Sequence, residues 1–193
     1  MTRARAEAVH AMLDTFPKQA LQGDSVSTET PKRVARMWEE LLDGYYQDPK
    51  EILSKVFQID GGSSNGDGDG IVCVSAIPFY SCCEHHLVPF FGKAHIAYLP
   101  NEKVTGLSKF ARLVECYARR LQVQERMTQQ IIRDIDKWLQ PRGTMVVLEA
   151  EHMCMTMRGI QKPGTVTRTS RVSGVFRDKP EARDEALTLM GLK

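Results

Sequence analysis

Cys82, Cys83, Glu84, His85 and His86 put two thiols, a carboxylate and two imidazoles in five consecutive positions. They follow Phe79-Tyr80-Ser81, and a Pro78 expected to close the strand before them. Such a set suits metal binding, acid–base chemistry, or both. Cys83 and His86 stand three apart, a spacing at which side chains of a tight turn or first helical turn face the same way. Zinc takes thiolate and imidazole ligands in tetrahedral sites. Cys154 offers a third ligand. It lies near the end of an expected strand over residues 144–155, where Val146, Leu148, Ala150, His152 and Cys154 share a face because strand side chains alternate. Three protein ligands leave one position open, as in a catalytic site. The competing reading is a closed structural site with His152 or Cys82 as fourth ligand. His85 and His152 are cast as general acid–base groups, because imidazole titrates around neutral pH. Cys82 stays open between bystander, spare ligand and oxidation-sensitive neighbour.

A second set of residues is basic. Lys109 and Arg112 follow Gly106-Leu107-Ser108, where a hydroxyl and a helix N-terminus could offer donors to an anion. Arg158, Lys162, Arg168 and Arg171 come soon after Cys154. Several cations suit a polyphosphate, against the plainer reading of a solvated charged surface. There is no P-loop and no GxGxxG. Gln124-Glu125 begins an expected helix. A carboxylate there can accept from the amino and ring N–H of a purine edge, or simply complement the helix dipole.

The elements that must position these groups follow from patterning. Residues 2–15 form an expected helix, 24–28 a polar connector, and a second helix opens with Thr30 as N-cap and Pro31 in its first turn. Residues 60–70 are a Gly-rich loop. Asp67 and Asp69 alternate there as in a calcium loop, but the helix pair and terminal Glu of an EF-hand are missing, so a surface connector is preferred. Strands are expected at 71–77 and 93–99, helices at 106–120 and 123–139, and strands at 144–155 and 165–176, with a charged helical tail from Lys179. That order is an α+β plan with antiparallel pairs, two helices on one face of the sheet, and the other face left for copies of the chain. The division is an N-terminal helical segment, 1–60, and a catalytic domain, 61–193.

At 193 residues, 42% apolar and 26% charged, the chain has the composition of an ordinary globular protein. A formal charge of +2 gives no argument for nucleic acid. No apolar run is long enough to span a bilayer, and Arg3, Arg5, Glu7 and His10 interrupt any signal-peptide core. Five cysteines, two of them adjacent, fit a disulfide framework poorly and fit a reducing cytoplasm better.

Several of these stretches together resemble the GTP cyclohydrolase I family. They are Thr30-Pro31-Lys32-Arg33, Phe79-Tyr80-Ser81 with Cys83-Glu84-His85-His86, Gly106-Leu107-Ser108-Lys109, Gln122-Val123-Gln124-Glu125-Arg126, His152-Met153-Cys154 and Met157-Arg158-Gly159-Ile160. They keep the family's order and spacing. The resemblance implies a tunnelling fold, in which sheets of several subunits close into a barrel, and a homodecamer with active sites at subunit interfaces. It implies zinc on Cys83, His86 and Cys154, and GTP converted to 7,8-dihydroneopterin triphosphate and formate. It implies His85 and His152 as acids, Ser108 assisting at the ribose, Gln124 near C8 and Glu125 on the guanine edge. Lys109, Arg112, Arg158 and a neighbouring subunit's Arg33 would hold the triphosphate. Cys82 departs from the family pattern. The alternatives are a tunnelling-fold nitrile reductase of deazaguanine synthesis, which works through a cysteine nucleophile and a nicotinamide cofactor, and a non-catalytic zinc-stabilised assembly protein.

Overall fold

A computed structural model describes residues 2–17, 24–58 and 70–193. The Gly-rich loop, apart from Gly70, and the expected boundary at residue 60 lie outside the described residues. The chain forms two compact units, Met1–Asp43 and Gly44–Lys193.

The first unit is helical: α1 (Thr2–Leu13), α2 (Asp24–Thr28) and α3 (Thr30–Leu41). Residues 24–28, expected as a connector, are a helical turn that runs almost directly into α3. The backbone is therefore already helical at Glu29, which takes the N-cap position in place of Thr30. The Glu29 carboxylate pairs with Lys32 at 2.8 Å instead of capping the helix.

The second unit opens with a 3-10 turn, then α4 (Pro49–Leu53) and β1 (Val56–Gln58). The strands β2 (Val72–Cys83), β3 (Pro89–Leu99) and β4 (Lys103–Thr105) follow. Next come α5 (Ser108–Ala118), β5 (Leu121–Gln122) and α6 (Gln124–Leu139). The chain then runs through β6 (Gly143–His152), α7 (Met153–Thr156), β7 (Val166–Val172), α8 (Val175–Asp178) and α9 (Pro180–Leu189). The main sheet has the order β5-β2-β3-β6-β7, antiparallel except for the short β2–β5 pairing. This is the expected α+β architecture.

Strand alternation sorts the sheet into two faces. Ile96, Tyr98, Val146, Leu148 and Ala150 join Phe110, Leu113, Met127, Ile131 and Ile135 of α5 and α6 in the larger core. Fully burying each of the Val, Leu, Ile, Phe and Met side chains among them contributes roughly 1.5–3 kcal/mol. The opposite face is not left wholly to copies of the chain. At one end Ala97, Leu99, Met145 and Val147 pack against Phe176, Ala186 and Met190 of the tail. Those odd-numbered apolar residues give α8 and α9 a surface to cover.

Pro78 does not end its strand. It pairs with Lys93 in mid-β2. Its missing N–H costs nothing there, because β5 reaches β2 only at Cys82 and Cys83 and the edge beside Pro78 has no ladder partner among the described residues. The register of β2 slips between Val74 and Ile77, where Ala76 takes φ 56°. A one-residue slip exchanges the faces of everything beyond it. Val72 and Val74 face the larger core before the bulge; Ile77, Phe79 and Cys83 face it afterwards.

Candidate metal centre

The bulge decides which of the two adjacent thiols can be a ligand. Cys83 falls on the core face. Cys82 shares the parity of Tyr80, on the opposite one. Cys82 is itself buried, and burial first, then the neighbouring Cys83, pushes its thiol up to about 11. It is a poor thiolate and stands outside the ligand set. After Cys83 the chain turns sharply, with Leu87 N–H donating to Cys83 O at 2.8 Å and Leu87 at φ 54°. This turn presents His85 and His86 to solvent.

Cys154 arrives by a different route from the one expected. Strand β6 stops at His152, and Cys154 sits in the single helical turn α7. The potential ligand atoms of Cys83, His86 and Cys154 nonetheless lie within 4.8 Å of one another. Cys83 Sγ is 3.7 Å from His86 Nδ1, close to the roughly 3.5 Å edge of a tetrahedron with zinc-like bond lengths. Burial first, and then the Cys83 thiol, raise Cys154 above the ordinary thiol range. A cation between the two sulfurs would reverse that penalty, since thiols bind metal only as thiolates. The donor set, its spacing and its need for positive charge all fit a metal ion.

His85 stands beside the cluster, its Nδ1 4.0 Å from Cys83 Sγ and its Nε2 3.8 Å from a Glu84 oxygen. Glu84 has a clear structural role. It forms an ion pair with Arg126, and that contact holds the Glu84 carboxyl below its ordinary range. Arg126 also donates to Gln122 Oε1 at 3.1 Å and Leu121 O at 3.0 Å, tying the turn to the start of α6. The four-residue spacing of Gln122 and Arg126 was the available sequence signal.

On the other side, His152 stacks flat on Phe90, with centroids 4.7 Å apart and planes 2° apart. The two residues are register partners of β3 and β6. His152 Nε2 lies 2.7 Å from Gln124 Oε1. Burial lowers the His152 imidazole below its ordinary range, and the nearby Glu125 charge opposes that shift. Glu125 is exposed on the first turn of α6. Arg158 is exposed beyond α7, and its charge favours the Cys154 thiolate.

The remaining expected residues are placed elsewhere. Ser108, Lys109 and Arg112 lie in the first turns of α5, and no hydrogen bond or ion pair among the described residues joins them to the cluster. Arg33 belongs to the N-terminal unit, on α3.

A mixed sheet backed by two helices, carrying a cluster of Cys83, His86 and Cys154 that could hold a metal ion and imidazoles beside it, is the outline of an α+β protein with a candidate metal site. The chain belongs to the GTP cyclohydrolase I family, whose model matches residues 6–191. It is 54% identical over 164 residues to GTP cyclohydrolase 1 of Carboxydothermus hydrogenoformans, covering 84% of this chain and 82% of that one. The enzyme of the same name from Geobacillus kaustophilus is 55% identical over 163 residues, covering 84% and 83%. Among solved structures, an archaeosine synthase QueF-Like in the apo form aligns at TM-score 0.46 and 15% identity, covering 54% of this chain and 93% of that one. No helix among the described residues is long and apolar enough to cross a membrane.

Proposed function

We propose that this chain is a zinc-dependent GTP cyclohydrolase that opens the guanine imidazole ring of GTP and releases formate and 7,8-dihydroneopterin triphosphate. The observation that carries the reading is the convergence of Cys83, His86 and Cys154, in a chain of the GTP cyclohydrolase I family. Zinc held by these three residues would supply a water acidified to near-neutral pKa for attack at C8.

The chain's own groups do the rest. Glu125 accepts from the amino and ring N–H of guanine and so fixes the base. His85, on the exposed turn, and His152, on its Phe90 platform, deliver and recover protons at the ring nitrogen and the ribose oxygen. Ser108 donates to the ribose. Lys109, Arg112 and Arg158, with Arg33 from a neighbouring subunit, neutralise the triphosphate. Among the described residues of one chain, Ser108, Lys109 and Arg112 make no bond to the metal cluster; completion of the site by another subunit would bring them to the substrate. A homodecamer whose sheets close into a barrel would supply that completion and cover exposed Tyr80 and Val166. The described cysteines are free thiols, in keeping with a reducing cytoplasm.

The test is incubation of the zinc-loaded protein with GTP, measuring formate and, after oxidation, pterin fluorescence. Stoichiometric zinc without formate would sink the enzyme reading. Sedimentation at the mass of a single chain, in active protein, would sink the interface reading.

A further inference from the structure

Gln124 is the most completely engaged polar side chain near the centre, and it is 1% exposed. Its amide nitrogen lies 3.1 Å from Leu148 O, 3.1 Å from Thr167 O and 3.2 Å from Thr169 Oγ1. Two of these neighbours are backbone carbonyls, which only accept, so the amide cannot be flipped without setting oxygen against oxygen. The hydroxyls can be assigned as well. Thr128 Oγ1 donates to Gln124 O at 2.8 Å. Thr169 Oγ1, 2.7 Å from Thr128 Oγ1, must then donate to Thr128 and keep a lone pair for the Gln124 amide. With every direction fixed, Gln124 Oε1 can only accept, and the atom it faces is His152 Nε2 at 2.7 Å.

We propose that Gln124 is a positioning residue, locked by Thr169, Thr128 and two strand carbonyls, that holds neutral His152 as the Nε2–H tautomer and leaves Nδ1 as its basic nitrogen. The inference deepens the acid–base reading of His152 and rests on it. It changes what is expected of Gln124: a buried amide with no free donor serves the reaction through His152, not by touching C8. The ring has little freedom to turn, because the Phe90 platform fixes its plane while Gln124 fixes one edge. A neutral imidazole released from that bond could hold its proton on either nitrogen, and part of the population would then present the wrong atom.

Neutron diffraction from the zinc-loaded wild-type protein, exchanged into heavy water at mildly alkaline pH, reads the proton directly. A deuteron on His152 Nε2 alone is the expected result. A deuteron on Nδ1, or on both nitrogens, overturns the proposal. In parallel, Gln124→Met should lower kcat by about tenfold or more, within the range of general acid–base effects, with KM changed less than about threefold. Thr169→Val acts one bond further back and should lower kcat in the same direction, while Thr169→Ser restores it. If Gln124→Met fails to fold, the Thr169 pair decides. Equal turnover in Thr169→Val and wild type overturns the lock. Full turnover in His152→Ala would sink the acid–base role itself, and the nuclear density would still report the tautomer independently.

Discussion

The two halves of the candidate metal centre are built on opposite principles. Cys83, His85 and His86 come from a bulged strand and a turn whose imidazoles face solvent. His152 comes from a strand whose register against β3 runs unbroken from Phe90–His152 to Leu99–Gly143. Gly92 lets those strands approach: a Cβ there would lie 1.9 Å from Glu149 O. The first half is held by an ion pair at its rim, the second by a buried network with every proton assigned. An exposed turn can admit a ligand and adjust around it. A saturated seat can fix a tautomer. Each half makes up for what the other lacks.

The largest effect should come from cutting the link between the halves. Cys154→Ser removes the one ligand contributed from the His152 side. Turnover is expected to fall by about a thousandfold or more, with loss of stoichiometric metal measured by plasma emission spectrometry. Cys82→Ser, a sulfur at the neighbouring position but on the opposite face, should keep both metal and turnover. If the two variants behave alike, the ligand assignment is wrong.

A smaller effect is expected from the rim. Arg126→Met frees Glu84 and with it the turn, while leaving the buried seat untouched. We expect roughly tenfold lower kcat/KM, of the order of one charge-assisted hydrogen bond. Because the pair is partly exposed, wild-type activity should also decline with added salt more steeply than that of the variant. Identical salt profiles would show that the pair does not order the turn.

Much of this centre was legible from side-chain type and spacing. The proximity of Cys83, His86 and Cys154, the imidazoles beside them and the helices behind the sheet all follow from periodicity and metal chemistry. The division between Cys82 and Cys83 does not, because it depends on strand parity, and parity is set by a slip six residues upstream of Cys82 that no turn residue announces. Pro78 misled for a related reason: a proline marks an unpaired edge as readily as a strand end, and only the sheet order tells them apart. Cys154 was reached by extending alternation past the true end of β6; it joins the cluster, but from α7 and not from the strand. The locking of Gln124 needed Thr169, forty-five positions away, which local pattern cannot supply.

The bulge itself is the next point of attack. His95 is buried opposite it, and its Nδ1 accepts from Ala76 N–H at 3.4 Å. Its neutral form therefore carries the proton on Nε2, 3.7 Å from Glu149 Oε1, with no hydrogen-bond partner among the described residues. Burial lowers the His95 imidazole below its ordinary range; Glu149 opposes that shift and Lys93 adds to it. A lowered histidine favours the native state only while it is neutral. Its contribution is complete above the unfolded value, near 6.5, and is lost as pH falls through the lower folded value. One proton limits the slope to roughly 1.4 kcal/mol per pH unit. His95→Gln keeps an acceptor for Ala76 and removes the titration. Its Tm should fall less than the wild type's between pH 6.5 and 5, and parallel curves would clear His95 of any role.

The gentlest test is at Ala76. A left-handed backbone costs a residue with a Cβ about 1–2 kcal/mol, which glycine avoids. Glycine also gives up more chain entropy on folding, by roughly 0.5–1 kcal/mol relative to alanine. The difference favours Ala76→Gly by about 0–1.5 kcal/mol, visible as a Tm raised by several degrees at most, with metal content unchanged. Deleting Ala76 instead removes the slip. Because the extra residue goes with the slip, Val74, Ser75 and Ile77 then alternate regularly, Cys83 keeps the core face and its spacing to His86, and metal content should persist. If the glycine variant is neutral or better and the deletion also keeps metal, the bulge acts only by setting which residues face the core. If both lose metal, the strain at Ala76 is itself part of what holds the turn, and the bulged half of the centre is less adjustable than its exposure suggests.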